Sequence, residues 1–255
     1  MMNTDPMESL HKALNSRVNA ACPVQFWLRD DDAVEPSKAL DRLLKLTERY
    51  AVPVTLAVIP ALTGDALGLR LASASSAAVA VHGWSHQNYA PATEKKQEFG
   101  LHRPVSEVVA ELARGYSELK QRHTRQFVPL LVPPWNRIDD AIVQELPSIG
   151  FKGLSTFGAQ RSDVIPTMNT HVDVIDWKGS RGGRMTRDLV MEMVALIEST
   201  RSPIGILSHH LVHDNNAWHF LEQLFATTSE HAGASWVPIN TLLPALSPNP
   251  RLPSQ

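Results

Sequence analysis

Three apolar runs of this 255-residue chain end in side chains that can bind a metal or move a proton. The residues that follow these runs are Asp30, Asp31 and Asp32 after 24–28, His82 and His86 after 77–81, and His209 and His210 after 204–207. In α/β folds the active site lies at the carboxyl ends of the strands. The three clusters therefore predict one enzyme site that is assembled from strand ends.

The histidines and carboxylates are of the types that make a catalytic metal site. His82 and His86 are four residues apart and can face one ion across a tight loop. Three adjacent carboxylates at the end of a buried strand repel one another unless a cation neutralises them. Two histidines and one carboxylate leave coordination positions open for water. A second carboxylate that does not bind the metal can then act as a general base.

Two further segments add groups that suit acyl transfer. Pro133 and Pro134 stiffen the loop that presents the backbone N–H of Trp135, and such an N–H can stabilise an oxyanion. Trp177 could form a wall of a substrate groove. A histidine after the run 204–207 could donate a proton to a leaving group.

The elements that must position these groups alternate between strand and helix patterns. Apolar runs lie near 24–29, 53–58, 77–82, 127–132, 151–155, 171–176, 204–208 and 235–239, and helical patterns fall between most of them, with Ser37 and Ser106 as predicted caps. This alternation predicts a mostly parallel sheet. Seven or eight units favour a closed barrel, and an open doubly wound sheet is the alternative.

Composition excludes several classes of protein. The net charge of −2 gives no field that would favour nucleic acid, and 43% hydrophobic residues are typical of a globular protein. The single cysteine, Cys22, allows no internal disulfide. We find neither a secretory signal nor an apolar stretch that could span a membrane, so we expect a cytoplasmic protein. We expect an N-terminal segment with a helix (1–23), a single catalytic domain (24–246) and a flexible tail (247–255).

Taken together and in order, five segments resemble the motifs of the polysaccharide deacetylase family, carbohydrate esterase family four. The segments are Asp31-Asp32, His82 with His86, 132–135, 173–177 and 207–209. The resemblance implies a distorted (β/α)7-8 barrel in a single domain. It also implies metal-dependent hydrolysis of an acetyl group on a sugar.

The resemblance also assigns roles. Asp31 would be the base that deprotonates the attacking water, the Trp135 N–H would bind the oxyanion, and His209 would protonate the departing amine. Asp32, His82 and His86 would hold zinc or another divalent transition metal. We add Arg137 to the catalytic group and expect Trp84, Asp176, Trp177 and His210 on the substrate side. The expected partner is a small-molecule or oligosaccharide substrate, with no nucleic acid and no membrane, and the oligomeric state is open.

Some assignments have alternatives. The family's third motif has an arginine where this chain has Val132, and Arg29 and Arg137 are the candidates to replace it. The aspartates could be shifted by one, with Asp30 as the base, and His210 competes with His209 for the acid role. Two other functions fit the same residues: hydrolysis of a non-carbohydrate C–N bond, and a catalytically silent glycan-binding domain.

Overall fold

The structure, a computed structural model, describes residues 5–245, without the side chains of residues 244 and 245. The strands are β1 (Val24–Ala33), β2 (Val54–Val58), β3 (Ala77–His82), β4 (Phe127–Val132), β5 (Gly153–Leu154), β6 (Val172–Asp173), β7 (Ile204–Ser208) and β8 (Ala234–Trp236). The helices are α1 (Pro6–Asn19), α2 (Lys38–Arg49), α3 (Asp65–Leu71), α4 (Val105–Arg122), α5 (Asp140–Val143), α6 (Leu146–Ile149), α7 (Thr186–Ser199), α8 (Asn215–Thr228) and α9 (Ile239–Ala245). Short 3-10 turns follow β2, β4 and β7 at Pro60–Leu62, Pro134–Asn136 and His210–Val212.

The strands form a curled, parallel sheet in the order β5-β4-β3-β2-β1-β7-β6, with β8 paired to the first half of β1. This order is the cyclic order of a barrel that is cut between β5 and β6. Within residues 5–245, only isolated bridges cross that cut, at Leu154–Thr167 and Phe157–Thr170. The predicted distorted barrel in a single domain is thus confirmed, and the open doubly wound sheet is wrong. All carboxyl ends meet at one rim because every pair is parallel.

The two faces of β1 contribute to two different apolar cores. Phe26 and Leu28 pack in the large core between the sheet and the helices. Trp27 belongs to a second cluster, which Ala57 and Ala80 join from neighbouring strands. Since side chains alternate along a strand, Arg29 and Asp31 share the face of Trp27. The interior of the barrel therefore changes from apolar to charged toward the rim.

The two predicted helix caps have different outcomes. Ser37 caps α2 as predicted, because its hydroxyl accepts a hydrogen bond from the N–H of Leu40 at 3.0 Å. The prediction for Ser106 is wrong, because α4 already begins at Val105 and Pro104 is its N-cap. A proline disfavours helical backbone in the residue before it, so Pro104 sets the boundary of α4.

The N-terminal segment contains α1, as expected, and this helix packs on the main core. Leu10 and Leu14 of α1 are fully buried in that core, and the Arg17 guanidinium donates to the Thr200 carbonyl at 3.0 Å. The predicted tail at 247–255 lies outside the described residues. Among the helices of residues 5–245, none is long and apolar enough to cross a membrane.

Candidate active site

The end of β1 carries a bulge that points three consecutive carboxylates in different directions. Asp30 pairs with Leu56 of β2, whereas the next pair joins Ala33 to Val58, so β1 has one extra residue here. Asp32 adopts a left-handed backbone conformation, with a φ of 69°. A bulge of this kind breaks the strict alternation of side chains along a strand. The three aspartates can therefore have three separate sets of partners.

Asp30 is fully buried and is bound by the segment that follows β7. Its carboxylate accepts hydrogen bonds from the Ser208 hydroxyl at 2.5 Å and the His210 N–H at 3.0 Å, and it pairs with His210 Nδ1. Burial raises the pKa of Asp30, but the charge and hydrogen bond of His210 outweigh it and leave the pKa below its usual value. Asp30 thus fastens β1 to β7 beneath the rim.

Asp31 forms an ion pair with Arg29 of the same strand. Nε of Arg29 lies 2.9 Å from Oδ1 of Asp31, and Nη2 donates to Oδ2 at 3.0 Å. Arg29 is fully buried and also donates to the Ser155 hydroxyl and to Asn136 Oδ1, both at 2.7 Å. A guanidinium held at both nitrogens of its fork fixes the plane of the carboxylate. Asp31 is therefore oriented by one residue of its own strand.

Asp32, His82 and His86 offer three ligand atoms that lie within 4.8 Å of one another. Oδ1 of Asp32 is 3.1 Å from Nε2 of His82 and 3.4 Å from Nε2 of His86. Nδ1 of His82 lies 3.0 Å from the Val132 carbonyl, to which it must donate, so Nε2 keeps its lone pair for a metal. A carboxylate and two imidazoles of this geometry fit zinc or a similar divalent metal.

The same three groups interact strongly by charge. Burial raises the pKa of Asp32, but the hydrogen bond and the charge of His82 outweigh it and lower the pKa well below its usual range. Burial lowers the pKa of His82, but the charges of Asp31 and Asp32 outweigh it, so the pKa is raised overall. The cluster thus pairs an anionic carboxylate with a proton on His82, and a divalent cation bound here would take the place of that proton.

Glu98 holds the loop that carries His86. Its fully buried carboxylate accepts hydrogen bonds from the N–H groups of Ser85 at 2.8 Å and Trp84 at 3.3 Å. Gly83 has a φ of +64°, and a Cβ there would lie 2.2 Å from Oε2 of Glu98. The close approach of Glu98 and the positive φ both require glycine. Burial raises the pKa of Glu98, which is consistent with a carboxyl enclosed by the loop.

Trp135 lies beside the candidate metal ligands in a strained turn. Trp135 and Asn136 have φ values of 55° and 57°, in the left-handed region that non-glycine residues rarely adopt. The Trp135 ring packs on His86 with 4.4 Å between centroids. Among the described residues, the Trp135 backbone N–H has no hydrogen-bond acceptor. Strain concentrated at such a turn is typical of functional sites.

His209 follows β7 and contacts Trp177. The two rings meet edge to face with 4.7 Å between centroids, and the Trp177 indole donates to Asp173 Oδ2 at 3.0 Å. Burial raises the pKa of Asp173, and the charge of His209 acts in the opposite direction. Trp177 keeps 42% of its surface exposed. The rim therefore places an imidazole, a carboxyl group and an accessible aromatic ring together.

The sequence matches the family model described as polysaccharide deacetylase over residues 26–154, just over half of the chain. The chain belongs to the polysaccharide deacetylase family. The match covers the aspartates of β1, the two histidines after β3 and the Trp135 turn. No protein of curated function matches the sequence.

Solved structures from this family share the fold. A family 4 carbohydrate esterase from Streptomyces lividans, in complex with acetate, has a TM-score of 0.58 at 15% identity, over 84% of this chain and 92% of its own. The acetyl xylan esterase from Clostridium thermocellum, which holds a cobalt ion, has a TM-score of 0.58 at 15% identity, over 87% and 91%. The peptidoglycan deacetylase PdaC from Bacillus subtilis has a TM-score of 0.55 at 15% identity, over 88% and 91%.

Of the two candidates to replace the family's arginine, Arg29 is the one that reaches Asp31. The side chain of Arg137 donates instead to the Lys96 carbonyl at 2.8 Å. The catalytic role expected for Arg137 stays a prediction. Val132, at the usual position of the arginine, is fully buried, and its carbonyl serves His82.

Three residues expected on the substrate side have other partners in the fold, and their contact with substrate stays a prediction. His210 is 1% exposed and is paired with Asp30 below the rim. The Trp84 ring lies beneath the Arg114 guanidinium of α4, 4.7 Å from its carbon. The Asp176 carboxylate accepts hydrogen bonds from backbone N–H groups of its own loop. Trp177 is the expected substrate residue that stays accessible beside His209.

Glu98 and Asn136 are contacts that sequence reasoning did not identify. Glu98 lies in a polar stretch, Lys95-Lys96-Gln97-Glu98, whose pattern resembles any surface loop. Asn136 follows Pro133, Pro134 and Trp135, and the predicted role of that segment depended on the prolines and the Trp135 N–H. Neither residue has a spacing signal, because Glu98 contacts backbone N–H groups across a loop and Asn136 contacts Arg29, 107 residues earlier.

Proposed function

We propose that this member of the polysaccharide deacetylase family is a metal-dependent hydrolase that removes an acetyl group from an N-acetylated sugar or glycan precursor. The observation that carries the proposal is the cluster of Asp32, His82 and His86 with a separately oriented carboxylate, Asp31, beside it. A metal set with an adjacent base that does not belong to it is the arrangement that hydrolysis requires.

Each neighbouring group has a role in this reaction. Asp31, oriented by Arg29, accepts a proton from the attacking water. The Trp135 N–H, which lacks a partner among the described residues, donates to the oxyanion of the tetrahedral intermediate. His209 gives a proton to the departing amine, and Trp177 positions both the imidazole and the face of the sugar ring.

The metal ligands are Asp32, His82 and His86, and the metal is zinc or another divalent transition ion. Such an ion supplies Lewis-acid chemistry, because it polarises the acyl carbonyl and lowers the pKa of water. The cobalt ion in the Clostridium thermocellum relative supports a divalent ion in this family. A carbohydrate substrate is supported by the family match and by the exposed indole of Trp177.

The catalytically silent alternative depended on the missing arginine at position 132. Arg29 orients Asp31 from within β1, so the main argument for a silent domain is removed. Hydrolysis of a non-carbohydrate amide would use the same residues as sugar deacetylation. Only a comparison of substrates distinguishes the two reactions.

The test combines metal content with a substrate panel. The purified protein is loaded with zinc, and the metal is measured by elemental analysis in wild type and in His86→Ala. Release of acetate is then measured from N-acetylated mono- and oligosaccharides, and hydrolysis of linear and cyclic amides, the competing class, is measured by the amino group that each reaction frees. We expect about one equivalent of zinc that His86→Ala loses, and acetate release from sugars only.

Each other outcome contradicts a part of the proposal. Turnover restricted to the amides would replace the sugar by a non-carbohydrate substrate. Full zinc occupancy with sugar binding but without turnover would support the silent domain. Full activity in His86→Ala would reject the proposal that His86 binds a catalytic metal.

A further inference from the structure

The loop between β6 and α7 and the start of α7 carry more basic than acidic residues. Residues 177–187 read Trp-Lys-Gly-Ser-Arg-Gly-Gly-Arg-Met-Thr-Arg, with four basic residues, and Asp176 and Asp188 flank this stretch in a chain of net charge −2. Arg184 is bound within the fold, because its Nη1 lies 2.8 Å from Glu192 and donates to the Asp173 carbonyl at 3.0 Å. Lys178, Arg181 and Arg187 are exposed, and none of them forms an ion pair within residues 5–245.

Backbone hydrogen bonds hold this basic loop in one shape. The Asp176 carboxylate accepts from the N–H groups of Gly179 and Ser180, both at 3.0 Å. Arg181 has a left-handed φ of 59°, and its N–H donates to the Asp176 carbonyl at 2.9 Å. The Asp176 carboxylate thus binds backbone N–H groups of the loop. These hydrogen bonds fix the backbone positions of Lys178 and Arg181.

The basic loop begins at the candidate acid. Trp177, its first residue, contacts the ring of His209 at 4.7 Å between centroids. Lys178 is the next residue of the chain. The exposed Lys178 therefore follows directly after the indole that contacts the candidate acid.

The opposite flank of the metal site is also basic. Nζ of Lys96 lies 5.9 Å from the ring of Trp135, which in turn packs on His86. Glu94, the acid nearest to Lys96 in sequence on its N-terminal side, is paired with His102 at 3.1 Å. Cations therefore lie on two sides of the catalytic rim. Exposed cations that flank a site raise the local concentration of anionic ligands.

We propose that the acylated substrate carries an anionic group, a phosphate or a carboxylate, which Lys178 and Arg181 bind at the basic loop. This inference rests on the proposed function and specifies the chemistry of its substrate. A neutral sugar would leave these cations without a partner, whereas a phosphate or carboxylate matches the donors of arginine and lysine.

Binding tests the inference separately from turnover. Zinc-loaded His209→Ala protein, which should not complete the reaction, is titrated by calorimetry at low salt with three sugars. They are N-acetylglucosamine 1-phosphate, N-acetylmuramic acid and neutral N-acetylglucosamine. The same titrations are repeated with His209→Ala protein that also carries Lys178→Gln and Arg181→Gln. The matched control is Arg125→Gln with Lys152→Gln, two exposed cations that precede β4 and β5 at the other end of the barrel.

We expect at least one anionic sugar to bind about fivefold to tenfold more tightly than the neutral one, which is the range for two exposed ion pairs. Loss of Lys178 and Arg181 should abolish this preference and leave the Kd of the neutral sugar unchanged, and the control pair should change neither. The two anionic sugars distinguish a phosphate from a carboxylate. Equal or undetectable binding of the anionic sugars, or an equal effect of the control pair, overturns the inference.

Acetate release by zinc-loaded wild type is measured with the same three sugars. Its absence, with charge-dependent binding retained, would reject the proposed function and keep the anionic ligand. Turnover of the neutral sugar alone, with no effect of the loop variants, would keep the function and reject the anionic ligand.

Discussion

At the scale of single residues, the main feature of the site is that three identical neighbours do three different things. Asp30 binds Ser208 and His210, Asp31 binds Arg29, and Asp32 lies with the two histidines of the metal cluster. The bulge at the end of β1 makes this division possible, because a regular strand would place Asp30 and Asp32 on one face. The backbone geometry at the end of β1 therefore gives each aspartate its own set of partners.

Asparagine substitutions, one at each aspartate, should separate these three roles, since asparagine keeps the shape and removes the charge. Asp31→Asn should keep its zinc and lose about 10²- to 10⁴-fold in kcat, the usual contribution of a general base. Asp32→Asn should lose zinc. Asp30→Asn should keep zinc but unfold more easily, by roughly 3 kcal/mol, because a buried partner of His210 is lost. Elemental analysis, kinetics and denaturant unfolding check the series, and an equal loss of zinc in all three would contradict it.

Replacement of Arg29 should act through Asp31. Arg29→Gln should lower kcat by about 10²-fold with zinc content unchanged, and the same substitution in an Asp31→Asn background should lower it little further, because groups that act as one unit are not additive. Arg29→Lys keeps the charge but loses the fork, so its kcat should lie between wild type and Arg29→Gln. The measurement is steady-state kinetics on zinc-loaded protein. Full additivity of the two substitutions would show that Arg29 acts elsewhere.

The types of the site residues could be read from the sequence, but most of their partners could not. Carboxylates and imidazoles after apolar runs are local signals, and they led to Asp31, Asp32, His82 and His86. Asn136 contacts Arg29, which is far away in the chain, and Glu98 closes a loop by accepting from backbone N–H groups, and only the fold defines either contact. The choice between Arg29 and Arg137 likewise depended on which side chain the barrel points inward.

At the scale of elements, the loop after β3 depends on a buried acid from another segment. Glu98 accepts hydrogen bonds from Trp84 and Ser85 and thereby fixes the turn between His82 and His86. The sequence pattern predicted the strand and the pair of histidines. It did not predict how the loop closes, because the acid that closes it lies in an ordinary polar stretch.

Replacement of Glu98 should weaken zinc binding without removing a ligand. Glu98→Gln should raise the zinc Kd about 10- to 100-fold, the usual effect of groups that orient metal ligands. Glu94→Gln, an exposed acid that pairs with His102, is the control and should leave zinc affinity unchanged. Competition with a chelator measures both. Equal zinc affinity in wild type and Glu98→Gln would mean that the loop keeps its shape without the acid.

At the scale of the whole molecule, the fold buries the ring nitrogens of one histidine, His213, that resists protonation. His213 follows β7 and packs on Trp218, and burial lowers its pKa to about 4. Both of its ring nitrogens are buried without a hydrogen-bond partner in the described part of the chain. The neutral form of His213 is therefore the one that the folded protein accommodates.

This predicts a loss of stability in mild acid that His213 controls. Between pH 6.5 and 4 the unfolded chain binds a proton at this residue and the folded chain does not, so the free energy of unfolding falls as the pH falls. The contribution is about 3 kcal/mol, from the size of the pKa difference. His213→Leu should flatten the dependence of stability on pH in that window, and His219→Leu, an exposed histidine of α8, is the control. Urea unfolding at several pH values would contradict the prediction if both variants kept the wild-type slope.

The cut between β5 and β6 lies next to the partners of Arg29. Within residues 5–245, isolated bridges and backbone hydrogen bonds join 154–158 to 166–170 across that cut, in place of a continuous ladder. Nη1 of Arg29 donates to Ser155 and Thr156, which follow β5, while Nε and Nη2 lie against Asp31. The guanidinium therefore spans the barrel interior from β1 to the strand at the open side, and it couples the orientation of the candidate base to the closure of the barrel.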